Sequence, residues 1–235
     1  MAIPEKSMEI ERLFHHCRNT QNKIIVLCSS EPGEGATSVA HALTQRMLLS
    51  GCKTLLIDFN MHNPSIKRLI ELDNSSKSES HLLPALVSVD ESFNTVVGVP
   101  APQHTSDIMK LRDPIYLRNL YQDWRKEFDY IVIDGGAINR RNKGNIPAEH
   151  IAACADACYL VVEAGSTHAE SVEHAVTTLS SSQVNLAGTV INDQYFPDLK
   201  RELLRQIEKL PVFLRGIKTV LQRWVISSQF LSIED

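Results

Sequence analysis

Short apolar runs recur along the chain, and most of them lack the polar alternation of a half-exposed strand. Residues 23–28 (KIIVLC), 53–58 (KTLLID), 129–134 (DYIVID), 158–163 (CYLVVE) and 186–192 (LAGTVIN) each read as a strand buried on both faces. Between them lie stretches with apolar positions at helical spacing. Ile10, Leu13 and Phe14 mark a helix over 7–18, and residues 37–49 form another, ended by Ser50-Gly51. Leu117, Leu120, Tyr121 and Trp124 share one face of a helix over 114–128, and a last one covers 169–181. Residues 92–99 add a further strand, and the polar stretch 74–80 reads as a loop. Buried strands alternating with helices predict a doubly wound α/β fold, a mostly parallel sheet with helices on both faces.

The pattern changes near the C-terminus. Leu203, Leu204, Ile207 and Leu210 suit one helix face, and Pro211 starts a second segment. There Phe213, Leu214, Ile217, Val220, Leu221, Trp224 and Val225 recur at helical spacing, with Arg215, Lys218 and Arg223 between them. The expected organisation is one α/β domain over 1–197 and an amphipathic helical extension over 198–235, packed on or following it. An apolar face opposite basic residues suits three roles: packing or homo-oligomer contact, membrane-surface contact through 212–228, or docking to another protein.

Composition narrows the function classes. A length of 235 residues suits one α/β domain, and 43% hydrophobic residues provide a core, which excludes general disorder. A formal net charge of -4 gives no global attraction to nucleic acid, so no nucleic-acid partner is expected. No apolar run is long enough to cross a bilayer, and the charged start is not a secretory signal. Cys17, Cys28, Cys52, Cys154 and Cys158 form no CxxC pair, so buried free thiols and a reducing cytoplasm are expected. The histidines show no HExxH pattern, which argues against a metal other than magnesium. Ser29, Ser30 and Ser38 lack the G-x-S-x-G elbow of a hydrolase.

The candidate chemistry lies in 29–38, SSEPGEGATS, which links a buried strand to a helix. Glycines there let the backbone wrap an anion, and the helix start adds free N–H groups and a positive dipole end. A P-loop also places a lysine after its last glycine to reach the terminal phosphates. Here that position is Ala36, while Thr37 keeps the hydroxyl that would face magnesium.

Residues 29–43 (SSEPGEGATSVAHAL) resemble the deviant Walker A segment of bacterial tyrosine kinases, usually PGEGKS, within the ParA/MinD superfamily. Residues 55–64 (LLIDFNMHNP) resemble the second acidic motif LLIDxDxRxP, and 130–134 (YIVID) resemble Walker B. Residues 160–167 (LVVEAGST) and 188–192 (GTVIN) resemble two later segments, in order and at the expected spacing. The resemblance implies a phosphate cradle of Gly33, Glu34, Gly35, Ala36, Thr37 and Ser38, with Asn192 at the adenine. It implies magnesium at Thr37, Asp58 and Asp134, with ATP or ADP as the nucleotide.

The departures also imply something. Ala36 replaces the lysine, Asn60 the second acid of the Asp-x-Asp motif, and His62 the following arginine. Gly135-Gly136 follow Walker B where the family carries Thr-Pro-Pro, and no C-terminal tyrosine cluster is present after Tyr195. In the N-terminal Glu-x-x-Arg-x-x-Arg motif, Glu9 and Arg12 remain and His15 stands for the second arginine. The expectation is a degenerate, pseudokinase-like protein of exopolysaccharide synthesis and export, cytoplasmic or peripheral to the inner membrane, with nucleotide and magnesium binding weakened or lost. Its implied partner is a membrane polysaccharide co-polymerase or an active kinase relative. Two alternatives stay open: an ATPase or tyrosine autokinase that borrows a cation from Arg140, Arg141 or Lys143, and a ParA/MinD-like positioning protein.

Overall fold

The computed structural model describes residues 7–68, 82–89, 94–140 and 144–193, together with Leu203, Leu204, Ile207, Lys218, Leu221 and 223–225. The polar stretch 74–80, Arg141, Lys143 and most of the tail lie outside these described residues. The chain divides into two units, 1–192 and 193–235.

The first helix, α1 (Met8–Asn19), is capped by the Ser7 hydroxyl, which accepts from the Ile10 N–H at 3.3 Å. It buries Ile10, Leu13, Phe14 and Cys17. Strand β1 (Ile24–Ser29) leads through the glycine loop into α2 (Ala36–Leu49), followed by β2 (Thr54–Asp58). Three short strands come next: β3 (Ile66–Arg68), β4 (Ala85–Val89) and β5 (Asn94–Val99). Then come α3 (Thr105–Leu111), α4 (Pro114–Glu127) and β6 (Tyr130–Ala137). Pro114 at the first turn of α4 loses no helical hydrogen bond, and the Asp113 side chain caps it by accepting from the Ile115 N–H. The unit ends with α5 (Ala148–Ala153), β7 (Ala157–Glu163), α6 (Ala169–Ser181) and β8 (Leu186–Asn192).

The eight strands form one sheet in the order β3-β4-β5-β2-β6-β1-β7-β8. Pairings from β5 through β8 are parallel, and β4 runs antiparallel to both β3 and β5. The continuous apolar runs have a direct cause. Successive residues of a strand point to opposite faces, and both faces here are covered. Ile24, Val26 and Cys28 of β1 join Leu55 and Ile57, Ile131 and Ile133 in one core with α3–α6. Ile25 and Leu27 join Leu56, Val132 and Tyr159 in the other core, under α1 and α2. The doubly wound α/β architecture is therefore the one the hydrophobic pattern predicts.

Four elements were not anticipated: β3, β4, α3 and α5. All are short, and none carries enough apolar positions to establish a period. β6 also runs past Asp134 to Ala137, so its end reaches the glycine loop. There Ile138 and Asn139 donate their N–H groups to the Ser29 and Ser30 carbonyls at 2.9 and 3.1 Å.

In the second unit the described residues after Asp193 are helical; Ile207 and Val225 are buried, whereas Leu221 and Trp224 are exposed. All five cysteines are free. Cys17, Cys28 and Cys158 are buried, and Cys52 and Cys154 are half-buried. Among the described residues, no helix is long and apolar enough to cross a membrane.

Candidate functional site

The glycine loop owes its shape to an internal carboxylate. Glu34 is buried, and its oxygens accept from the Ser30 N–H at 2.7 Å and the Glu31 N–H at 2.9 Å. The hydroxyls of Ser30 and Thr167 donate to the same carboxylate. The side chain of Glu34 thus holds the loop closed from inside, and the Asn192 amide donates to the Glu34 carbonyl at 3.0 Å.

Gly35 is the residue before α2, with φ of 97°. A Cβ there would lie 2.5 Å from Asn192 Nδ2. Gly35→Ala combines that collision with a left-handed backbone that L-residues disfavour by about 1–2 kcal/mol. Thermal denaturation should show the variant less stable than wild type by at least that amount, and Gly35→Ala together with Asn192→Ala should recover part of the loss.

Outside the loop lies a cleft of about 610 Å³. Gly33, Gly35, Ala36, Thr37 and Ser38 line it. The N–H groups in the first turn of α2 have no helical acceptors ahead of them, so this wall can donate to an anion. Glu34 and Asn192 do not line the cleft; they brace the loop from behind. Ala36 is 5% exposed, and its methyl belongs to the apolar cluster with Val39, Ala40 and Leu43.

Asp58 and Asp134 sit side by side in register across β2 and β6. Both are buried. Asp58 accepts from the N–H groups of Asn60 (2.9 Å), Ser65 (2.7 Å) and Ile66 (3.2 Å), and from the Ser65 hydroxyl (3.2 Å). Its carboxylate therefore shapes the turn that follows β2. Asp134 accepts from the Thr37 hydroxyl at 2.5 Å and the Gly136 N–H at 3.1 Å. Burial pushes the Asp134 carboxyl up to about 7, the neighbouring Asp58 adds to the rise, and the Thr37, Gly136 and Asn60 donors oppose it. Burial also raises Asp58, against its backbone donors.

Asn60 completes this group. Its Nδ2 donates toward Thr37 Oγ1 at 3.4 Å and Asp134 Oδ2 at 3.5 Å, while its Oδ1 accepts from the Asn63 N–H at 3.3 Å. Thr37, Asp134 and Asn60 are thus brought together, and His62 lines the same cleft. Among the described residues, no three His, Cys, Asp or Glu side chains are grouped to hold a metal.

Among the described residues, two arginines also line the cleft, Arg112 and Arg140. Arg140 was a candidate from the sequence; Arg112 was not. It follows α3, and its Nε and Nη2 donate to the Asn145 carbonyl at 3.0 and 2.6 Å. That contact ties the α3–α4 junction to the segment before α5. No short motif surrounds Arg112, and only the three-dimensional return of α3 to the cleft exposes it as a candidate.

No family model matches the chain. Over 182 residues it is 25% identical to the succinoglycan biosynthesis transport protein ExoP of Rhizobium meliloti, covering 74% of this chain and 22% of ExoP. Over 177 residues it is 24% identical to the tyrosine-protein kinase CpsD of Streptococcus agalactiae, covering 73% of this chain and 76% of CpsD. Several of its relatives, CpsD among them, are bacterial tyrosine-protein kinases. The chain thus spans about a fifth of the length of ExoP and three quarters of CpsD.

Solved structures agree on the fold. The chimerical protein CapA2B2 superposes with a TM-score of 0.59 at 20% identity, covering 80% of this chain and 85% of that one. A cobyrinic acid a,c-diamide synthase from Mycobacterium smegmatis, with bound ADP and magnesium, gives 0.54 at 15% identity over 87% and 92%. MinD from Aquifex aeolicus gives 0.51 at 18% identity over 86% and 78%. These likenesses show the fold, a mostly parallel sheet with helices on both faces, which is the α/β architecture expected from the sequence.

Proposed function

We propose that this chain is a degenerate relative of the bacterial tyrosine kinases, a pseudokinase that acts by binding in exopolysaccharide synthesis and export. Ala36 carries this reading: a buried methyl group stands where phosphoryl transfer calls on an ammonium. Phosphoryl transfer depends almost wholly on positioning and charge stabilisation, and Asn60 also lacks the second carboxylate of its motif. The names of ExoP, a succinoglycan biosynthesis transport protein, and CpsD, a tyrosine-protein kinase, support the pathway assignment. The partner proposed is a membrane polysaccharide co-polymerase or an active kinase relative, met at the cytoplasmic face of the inner membrane. A phosphate-bearing nucleotide held by the Gly33–Ser38 backbone is the ligand.

The test is direct. The purified full chain, incubated with ATP and either magnesium or manganese, is expected to yield no phosphotyrosine and no phosphate release above the Asp134→Ala control. Robust metal-dependent tyrosine phosphorylation by the unmodified chain, lost in Asp134→Ala, would overturn the proposal.

One observation favours a second reading. Arg112 and Arg140 line the cleft that contains the phosphate loop, so a cation could reach a bound phosphate without position 36. On this reading the protein is an ATPase or autokinase with a substitute cation. Turnover that falls about tenfold or more in Arg112→Ala, with unchanged stability, would select it.

A further inference from the structure

The three departures at Ala36, Asn60 and Gly136 occupy one place in the fold. Asn60 Oδ1 accepts from the Asn63 N–H, which fixes the amide so that Nδ2 faces Thr37 Oγ1 and Asp134 Oδ2. Those two oxygens are the ones a magnesium ion or its waters would need. Both are already engaged: the Thr37 hydroxyl donates to Asp134, and the Asn60 amide leans on both. Asp58, the third ligand expected, spends its oxygens on four donors of the turn after β2. The donor set does not fit magnesium.

The neighbouring backbone is shaped to match. A Cβ at Gly136 would lie 3.3 Å from Asn60 Oδ1 and 3.6 Å from Asn60 Cα, and φ there is 73°. Glycine thus lets the end of β6 close against Asn60. Charge follows the same logic. An aspartate at position 60 would add a third carboxylate to a buried pair, with neither a lysine at 36 nor a metal to offset it. A neutral amide carries a positive dipole end to Asp134 at no net charge.

From this geometry we infer that the Asn60 carboxamide takes the place of the divalent cation between Thr37 and Asp134, so that the cleft accepts its phosphate-bearing ligand in metal-free form. The first half stands on the contacts among Asn60, Thr37 and Asp134. The second half rests on the proposed nucleotide-binding reading. Phosphate charge is then met by the α2 N–H groups and by Arg112 and Arg140.

The experiment uses the metal alone on the full chain. Thermal unfolding is measured in EDTA and in about 10 mM magnesium chloride, where a millimolar site would raise Tm by about 3–6 °C. Wild type is expected to move by less than about 1 °C. Asn60→Asp is expected to gain the full shift, and Asn60→Asp with Asp134→Asn to lose it. If Asn60→Asp does not fold without magnesium, rescue by magnesium counts as the same gain. If it folds in neither condition, Asn60→Ala, which removes the amide without adding charge, takes its place. A wild-type shift equal to that of the variant overturns the inference, and so does the absence of any gain in the variants.

Calorimetry with ADP, in EDTA and in magnesium, supplies the second arm. Equal wild-type affinity in the two buffers is expected, and affinity that requires magnesium overturns the inference. ADP that binds in neither buffer refutes the metal-free ligand and the nucleotide-binding reading, and leaves the substitution at Thr37 and Asp134 to the metal-alone result.

Discussion

Ala36→Lys should tighten ADP binding by about 10–100-fold, the effect of one hydrogen bond to a charged group at about 1.5–3 kcal/mol. The backbone half of the cradle is in place: Gly33 and Gly35 hold φ values of 94° and 97°, and α2 presents its first-turn N–H groups to the cleft. What is missing is a cation on that wall. Position 36 lines the cleft although its methyl is buried, so a longer side chain has an exit toward the phosphates. The Lys stem must leave the cluster of Val39, Ala40 and Leu43, and a small loss of stability is expected to accompany the gain in affinity. Tyrosine phosphorylation should stay absent in this variant, because Asn60 still lacks a carboxylate. Calorimetry on the two proteins reads the first effect and thermal denaturation the second. Unchanged affinity, with the fold intact, would mean that the cleft does not present its N–H wall to nucleotide at all.

How much of this was legible beforehand depends on the physics of each part. The parallel core was readable because β1, β2, β6 and β7 are buried on both faces, and burial leaves continuous apolar runs that no polar residue interrupts. The strands β3 and β4 were not, because a three-residue edge strand and the five-residue strand beside it leave little pattern. Thr37, Asp58 and Asp134 could be named from their motifs, but not that Asp58 would be consumed by its own turn. That depends on where the N–H groups of Ser65 and Ile66 return, which no spacing reveals. Glu34 and Asn192 were placed at the ligand by resemblance; what no motif revealed is that the Glu34 carboxylate bonds within the loop and the Asn192 amide donates to the Glu34 carbonyl. Arg112 shows the opposite failure. An arginine outside any motif enters the cleft only because the α3–α4 junction packs next to the segment before α5. Arg141 and Lys143 lie outside the described residues, so of the basic loop only Arg140 is placed in the cleft.

Asp134→Asn should make the protein more stable at neutral and alkaline pH, although it removes a residue of the Walker B motif. Burial beside Asp58 holds the Asp134 carboxyl at about 7, above the ordinary aspartate value near 3.9 in the unfolded chain. Between those values the native state binds the extra proton, so stability falls as pH rises through this window and levels off above about 7. Wild type is therefore most stable, as far as this group is concerned, below about pH 4. The asparagine variant has no such proton to lose. Two of its three contacts survive: Oδ1 can accept from the Gly136 N–H, and the Thr37 hydroxyl can turn to accept from Nδ2, whereas the Asn60 amide loses its long 3.5 Å bond to Oδ2 and keeps only Thr37 Oγ1 as acceptor. The advantage of the variant over wild type should be larger at about pH 8 than at about pH 4.5 by about 2–4 kcal/mol. Urea denaturation of both proteins in EDTA across that range checks the sign. A wild-type curve that rises between pH 4 and 7 while the variant stays flat would mean that Asp134 is ionised in the fold with a lowered pKa. A cation would then have to be found beside it, where the Asn60 amide now sits.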